Sequence, residues 1–223
     1  MSEQKKPSLA EDLLRIHRVV TRSLTVALTS GQKFSQSGFP DSSMREGFYN
    51  YVRSLSILLN SHHTSEDEIA FPRAKERMPG IPVDHLCADH KEMAAILIEI
   101  DQMLEKAASG VKDEQVLPGL NEALGRLNNL WTDHIHLEEE VFAARKLREA
   151  FKDYEQADLS RTISEFSRKH SSPNYLVVPF ILYNLSEEDR QKMMSTMPKV
   201  IIQVMISLVW KNKWESMKPF LLV

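Results

Sequence analysis

An apolar stripe takes in Phe48, Tyr51, Val52, Leu55, Leu58 and Leu59 and then Ile69, a spacing that puts them on one face of an α-helix. The same spacing recurs in Leu13, Leu14, Val20, Leu24 and Leu28, in Leu86, Met93, Ala94 and Leu97, and in Leu124, Leu127, Trp131, Val141 and Phe142. It predicts four amphipathic helices. The first runs from about Ser8, with Glu11 and Asp12 in its first turn, to Ser30. The second covers 43–71 and is stopped by Pro72, the third runs from Asp84 to Ala108, and the fourth starts near 113 and continues to about 150. The connections are the Gly/Ser/Pro-rich stretch 30–43, "PRAKERMPGIPVD", and "SG" after Ala108. Beyond 150 the pattern stays helical, with Ser186 capping "SEEDRQKMM" and Pro198 opening a final helix. Strand-like alternation between glycine turns is not evident, so the expected class is all-α.

Four histidines interrupt these stripes in a repeating order. His17 is followed 45 residues later by His62, with Glu66 four beyond; His90 is followed 44 residues later by His134, with Glu138 four beyond. One half maps onto the other at an offset of 72 to 73 residues (90 − 17, 134 − 62, 138 − 66). Each half reads as a helical hairpin, and two related hairpins make an up-and-down four-helix bundle over 8–150. Residues 151–223 are then a C-terminal helical extension packing on or near it.

His62 and Glu66 lie on the stripe of the second helix, and His134 and Glu138 on that of the fourth. His63 sits about 100° round from His62, on the shoulder of the stripe, and with Asp67 and Glu68 is expected mostly in solvent. His136 and His170 also read as solvated. Imidazoles and carboxylates buried without partners cost several kcal/mol each, so the arrangement calls for a counter-charge. A pair of metal ions supplies it. His17, His62, Glu66, His90, His134 and Glu138 would then ligate two ions, each His-x-x-x-Glu unit giving a terminal nitrogen and a bridging carboxylate. Positions are left open for an oxo or hydroxo bridge or a small ligand. His63, His85 and Glu139 are further candidates. Mixed imidazole and carboxylate donors suit iron best, with manganese and zinc compatible. Trp131 and Phe142 are expected to pack the core and keep the site dry, and the methionines of 193–217 to fill helix contacts.

Composition narrows the partners. A formal net charge of −3 with interspersed signs offers no basic field for nucleic acid. The single cysteine, Cys87, allows no internal disulfide, reads as a small buried residue, and suits a cytoplasmic protein. The polar start "MSEQKKPSLAEDLL" has no secretory h-region. The longest apolar run, "VIIQVMISLVW" at 200–210, is too short for a membrane span and reads as a buried or interface helix. A homo-oligomer formed through the C-terminal helices is one use for it.

The series His17, "HHTSEDEIAFP" from His62, "DHKEM" around His90 and "HIHLEEEVF" from His134 resembles the hemerythrin-like, HHE cation-binding domain over roughly residues 8 to 150. The resemblance implies a non-haem di-iron centre bridged by Glu66 and Glu138. It also implies a role in binding or sensing O2, in handling nitric oxide or peroxide, or in iron homeostasis. Two departures stand out. Oxygen-carrying hemerythrins have a second histidine one turn before the third-helix ligand, where this chain has Leu86, and His85 lies about 140° off that face. Their fourth-helix carboxylate follows its histidine by five residues, the position of Glu139, whereas Glu138 follows by four. The leading expectation is binding or sensing of a small oxidant. A di-iron oxidase, peroxidase or oxygenase comes second, with "NYLVVPFILYNL" and the 200–210 run covering the site and lining an apolar path. Iron storage or delivery and a metal-free interaction module follow.

Overall fold

The four stripes find one another. In a computed structural model describing residues 9–222, α1 (Leu9–Ser37), α2 (Ser42–Ser65), α4 (Val83–Ala108) and α5 (Asp113–Val141) form the bundle. α1 touches α2, α2 touches α4, α4 touches α5, and α5 returns to α1, so the ring of helices closes. Short connections make neighbours antiparallel. No strand occurs among the described residues.

Three helix boundaries differ from the sequence expectation. α1 continues past Ser30 to Ser37. Gly31 is buried there because a side chain would collide with Asn121, and Phe34 then extends the core by another turn. The second helix does not end at Pro72. It passes through a π turn, Glu66–Ala70, into α3 (Phe71–Arg77), which places Pro72 in a first turn where its missing N–H is harmless. The fourth helix ends at Val141 and restarts as α6 (Ala144–Ala150). α7 (Asp153–His170), α8 (Asn174–Asn184) and α9 (Glu187–Ser195) follow, with Ser186 capping α9 as expected. A π-helical segment, Ile201–Val209, begins just after Pro198 and leads into α10 (Lys211–Trp214) and a 3-10 turn, Glu215–Phe220.

These later elements brace the outside of the α1–α2 hairpin. α7 packs on α1, α2 and the π turn, α8 lies along α1 and α2, and the 3-10 turn lies on α2. Phe180 meets Tyr51, and Phe220 meets Phe34, Phe48 and Tyr51. α2 is therefore buried on two faces. Small residues make the second one possible: the Ser54 hydroxyl donates to Met217 Sδ, and Ser61 donates to the Ser167 carbonyl and accepts from Ser171. At Gly47 the Ser216 carbonyl occupies the space a Cβ would need.

A paired substitution tests this bracing. Gly47→Ala forces the 3-10 turn off α2 and is expected to cost about 1–3 kcal/mol by urea unfolding. Gly125→Ala, in the middle of α5 with open space around it, is expected to gain about 0.5–1 kcal/mol from helix propensity. A neutral Gly47→Ala would contradict the close approach.

Candidate metal centre

The buried apolar residues form two clusters. One contains Val20, Leu24, Leu59, Met93 and Trp131; the other contains Ala10, Phe71, Leu86 and Val141. On every bundle helix a histidine stands between them: His17, His62, His90 and His134, each at most 7% exposed. The helices thus agree on one level, and a polar layer crosses the bundle there.

Two sets of side chains converge in that layer. His17, His62, Glu66 and Glu138 offer ligand atoms within 4.8 Å of one another, and His63, His90 and His134 do the same. The carboxylates span both sets. Glu66 Oε1 lies 3.3 Å from His62 Nε2, and its Oε2 lies 3.7 Å from His90 Nε2. Glu138 Oε2 lies 3.1 Å from His17 Nε2 and 3.5 Å from His134 Nε2.

An outer ring of carboxylates fixes the imidazole tautomers. His90 Nδ1 is 2.8 Å from Asp67, His17 Nδ1 is 2.9 Å from Glu139, and His134 Nδ1 is 3.2 Å from Asp89. An ionised carboxylate only accepts, so each Nδ1 carries the proton and donates. In the neutral rings every inward Nε2 is then a bare lone pair. His90 Nε2 and His134 Nε2 face each other at 3.1 Å, an arrangement that repels unless a cation or proton lies between them. The same deficit runs through the layer: His17 Nε2, His62 Nε2, His63 Nε2 and all four oxygens of Glu66 and Glu138 are buried without a hydrogen-bond partner. Seven unpartnered polar atoms at one level fit a cation site.

Metal-free, the layer settles this conflict with protons. Burial lowers the basicity of His17, but hydrogen bonds and charge from Glu138 and Glu139 outweigh it and raise its pKa to about 9. Burial, reinforced by neighbouring imidazoles, holds His62 and His63 far below the usual value. Burial and the adjacent Glu138 push Glu66 up. Burial would raise Glu138 too, but the His134 and His17 imidazoles beside it hold it well down.

Rings close the layer on both sides. Trp131, anchored by Nε1 donating to Thr21, sits 5.3 Å edge-on to His17. Phe71 stacks under His90 at 5.3 Å and against Phe142 at 5.8 Å, so Phe142 packs beside the site as anticipated.

The six residues singled out by the repeat all reach this layer. His63, expected mostly in solvent, is buried at 5% exposed and stacks on His90 with ring centroids 4.0 Å apart. Its burial follows from its contacts with α4 and α5, where it meets His90, Trp131 and His134. His85 stays out, with a side chain 65% exposed and directed toward Asp89 at 3.9 Å. Glu139 reaches the outer nitrogen of His17 and not the interior. Asp67, expected in solvent, and Asp89, not foreseen, complete the outer ring. Cys87 is half-buried, and its thiol donates to Asp67, with burial and that carboxylate raising its pKa to about 11. His136 and His170 are exposed as expected.

The Hemerythrin HHE cation binding domain profile matches residues 8–145. No curated protein and no solved structure matches the chain. With more than half its length matched, this chain belongs to the hemerythrin HHE cation-binding domain family.

Proposed function

We propose that the chain holds two iron ions and uses them to bind or sense O2 or a related small oxidant such as nitric oxide or peroxide. The observation that carries this reading is two adjoining sets of possible ligands, with Glu66 and Glu138 close to both and their oxygens unpartnered. In this assignment His17 and His62 serve one ion, and His63, His90 and His134 serve the other. Glu66 and Glu138, whose carboxylates lie near both sets, would be shared between the two. Mixed imidazole and carboxylate donors favour iron, whose chemistry when bound is reversible ligation and electron exchange with small oxidants. Asp67, Asp89 and Glu139 hold the Nδ1 protons and so aim the Nε2 lone pairs inward. Trp131 and Phe71 keep bulk water from the layer.

A small ligand suits the surroundings better than an organic substrate. Two shallow clefts among the described residues, one lined by Ser56, Asn60 and Asp101 and the other by Arg73, Arg77 and Tyr154, include no inner-layer side chain. α8 runs along the outside of α1–α2, which leaves the oxygenase reading without a substrate path from that segment. The lone Cys87 fits a reducing, cytoplasmic setting.

Elemental analysis with visible spectra taken before and after exposure to O2, nitric oxide and peroxide tests the proposal. Two irons per chain and a ligand-dependent charge-transfer band are expected; zinc alone, or a spectrum that no oxidant alters, would refute it. Among variants, His63→Ala is expected to lower iron to about one per chain, and Asp67→Ala to weaken metal binding roughly 10–100-fold. His85→Ala should leave metal content unchanged; a loss there as large as at His63 would overturn the assignment. Metal uptake must also displace the proton that His17 holds up to about pH 9 in the metal-free chain. Because that pKa stands above the usual 6.5, the proton on His17 competes with metal ever more strongly as pH falls below about 9, so the extra competition is felt between pH 6.5 and 9. Zinc affinity, a redox-inert readout by calorimetry, should therefore strengthen across that window with net proton release, and a flat profile would contradict the assignment of His17.

A further inference from the structure

The segment Ile201–Val209 takes no part in the metal layer and is the most apolar stretch of surface on the chain. Val200, Val204, Leu208 and Val209 are 56, 41, 70 and 58% exposed. Its π winding brings them together. At about 4.4 residues per turn, positions 200, 204, 208 and 209 fall within roughly a quarter of the circumference, whereas α-helical winding would spread them over half of it. The i to i+5 geometry is explicit where the Trp210 amide donates to the Met205 carbonyl at 2.6 Å. The opposite side is anchored: Ile206 is buried, and the Trp214 indole donates to its carbonyl at 3.0 Å. Trp214 in turn packs on Tyr183 of α8. The ridge is therefore a fixed feature that points outward.

Its charged surroundings have one sign. Between residues 199 and 214 the only charged side chains are Lys199, Lys211 and Lys213, all exposed. The next acid, Glu215, is held by Lys218 at 2.5 Å and also lies 4.0 Å from Lys211. The acids of neighbouring α9 are engaged too: Glu187 with Arg190, Glu188 with Lys192, and Asp189 with Arg15 and Arg18. An apolar ridge bounded by lysines and by tryptophan at its end is the composition of a surface that inserts shallowly into a bilayer. A second copy of the chain fits less well, because a two-fold interface across this ridge would set lysines against lysines. No helix among the described residues is long and apolar enough to cross a membrane, so the contact would be peripheral.

We infer that the Val200–Val209 ridge docks the protein on an anionic lipid surface, with Val204, Leu208 and Val209 entering the acyl boundary and Lys199, Lys211 and Lys213 meeting the headgroups. Co-sedimentation of the metal-loaded full chain with vesicles tests it, comparing phosphatidylcholine alone with mixtures containing phosphatidylglycerol. Binding to the anionic vesicles, weakened by salt and about tenfold weaker on neutral ones, is expected. Leu208→Glu should reduce partitioning about tenfold, and Lys211→Gln with Lys213→Gln should remove the preference for anionic lipid. All three substitutions lie on exposed positions, and unchanged metal content would verify the fold. Wild-type protein that stays in the supernatant with anionic vesicles would overturn the inference. So would a lipid-free dimer, seen by sedimentation, that Leu208→Glu dissolves, since the ridge would then be a self-association face.

Discussion

Two imidazole nitrogens whose lone pairs confront each other at 3.1 Å, His90 Nε2 and His134 Nε2, express the constraint that organises the molecule. Neither can turn away, because Asp67 and Asp89 hold the opposite nitrogens. Five inward imidazoles and two carboxylates share one level of an otherwise apolar bundle. A layer of this kind without a cation places several unpaired acceptors in a medium of low dielectric, where each costs roughly 1–3 kcal/mol. Bound cations convert the same atoms into the strongest cross-links between the four helices, so metal binding and fold stability are coupled.

The rest of the fold keeps that layer in place. Apolar clusters above and below it set the relative heights of the helices, and the aromatic rings of Trp131 and Phe71 fix the imidazole planes. The π turn at Glu66–Ala70 begins at Glu66 of the polar layer and lets the helix run on through Pro72, so Phe71 can reach His90. Outside the bundle, α7, α8 and the 3-10 turn cover α2 and turn its serines into contact points. Within the bundle, His62 faces His17 of α1 and His63 faces His90 of α4, so one helix buries both.

The four-helix frame was legible in the sequence because its two signals agree: stripes at three and four, and a histidine interrupting each stripe at a repeating interval. His63 was less legible for a specific reason. The repeat has no partner for it, since its counterpart at an offset of 72 is Ile135. A usable signal did exist in His-His-x-x-Glu: at about 100° per residue, Glu66 falls between His62 and His63 and can serve both. Asp67 and Asp89 could not be placed without coordinates, because their partners lie 23 and 45 residues away on other helices. The helix through Pro72 was missed because a π turn leaves no clear mark in composition, and the longer α1 because Gly31 reads as a breaker until Asn121 is seen against it.

The central claim is that seven converging acceptors exist to hold two neighbouring cations. Anomalous diffraction at the iron absorption edge, on crystals of protein purified without added metal, tests this directly. The account predicts two peaks about 3.5–4 Å apart, one beside His17 and His62 and the other beside His63, His90 and His134, with Glu66 and Glu138 between them. A layer with no anomalous peak, or with a single ion and the remaining acceptors paired to ordered water, would contradict it.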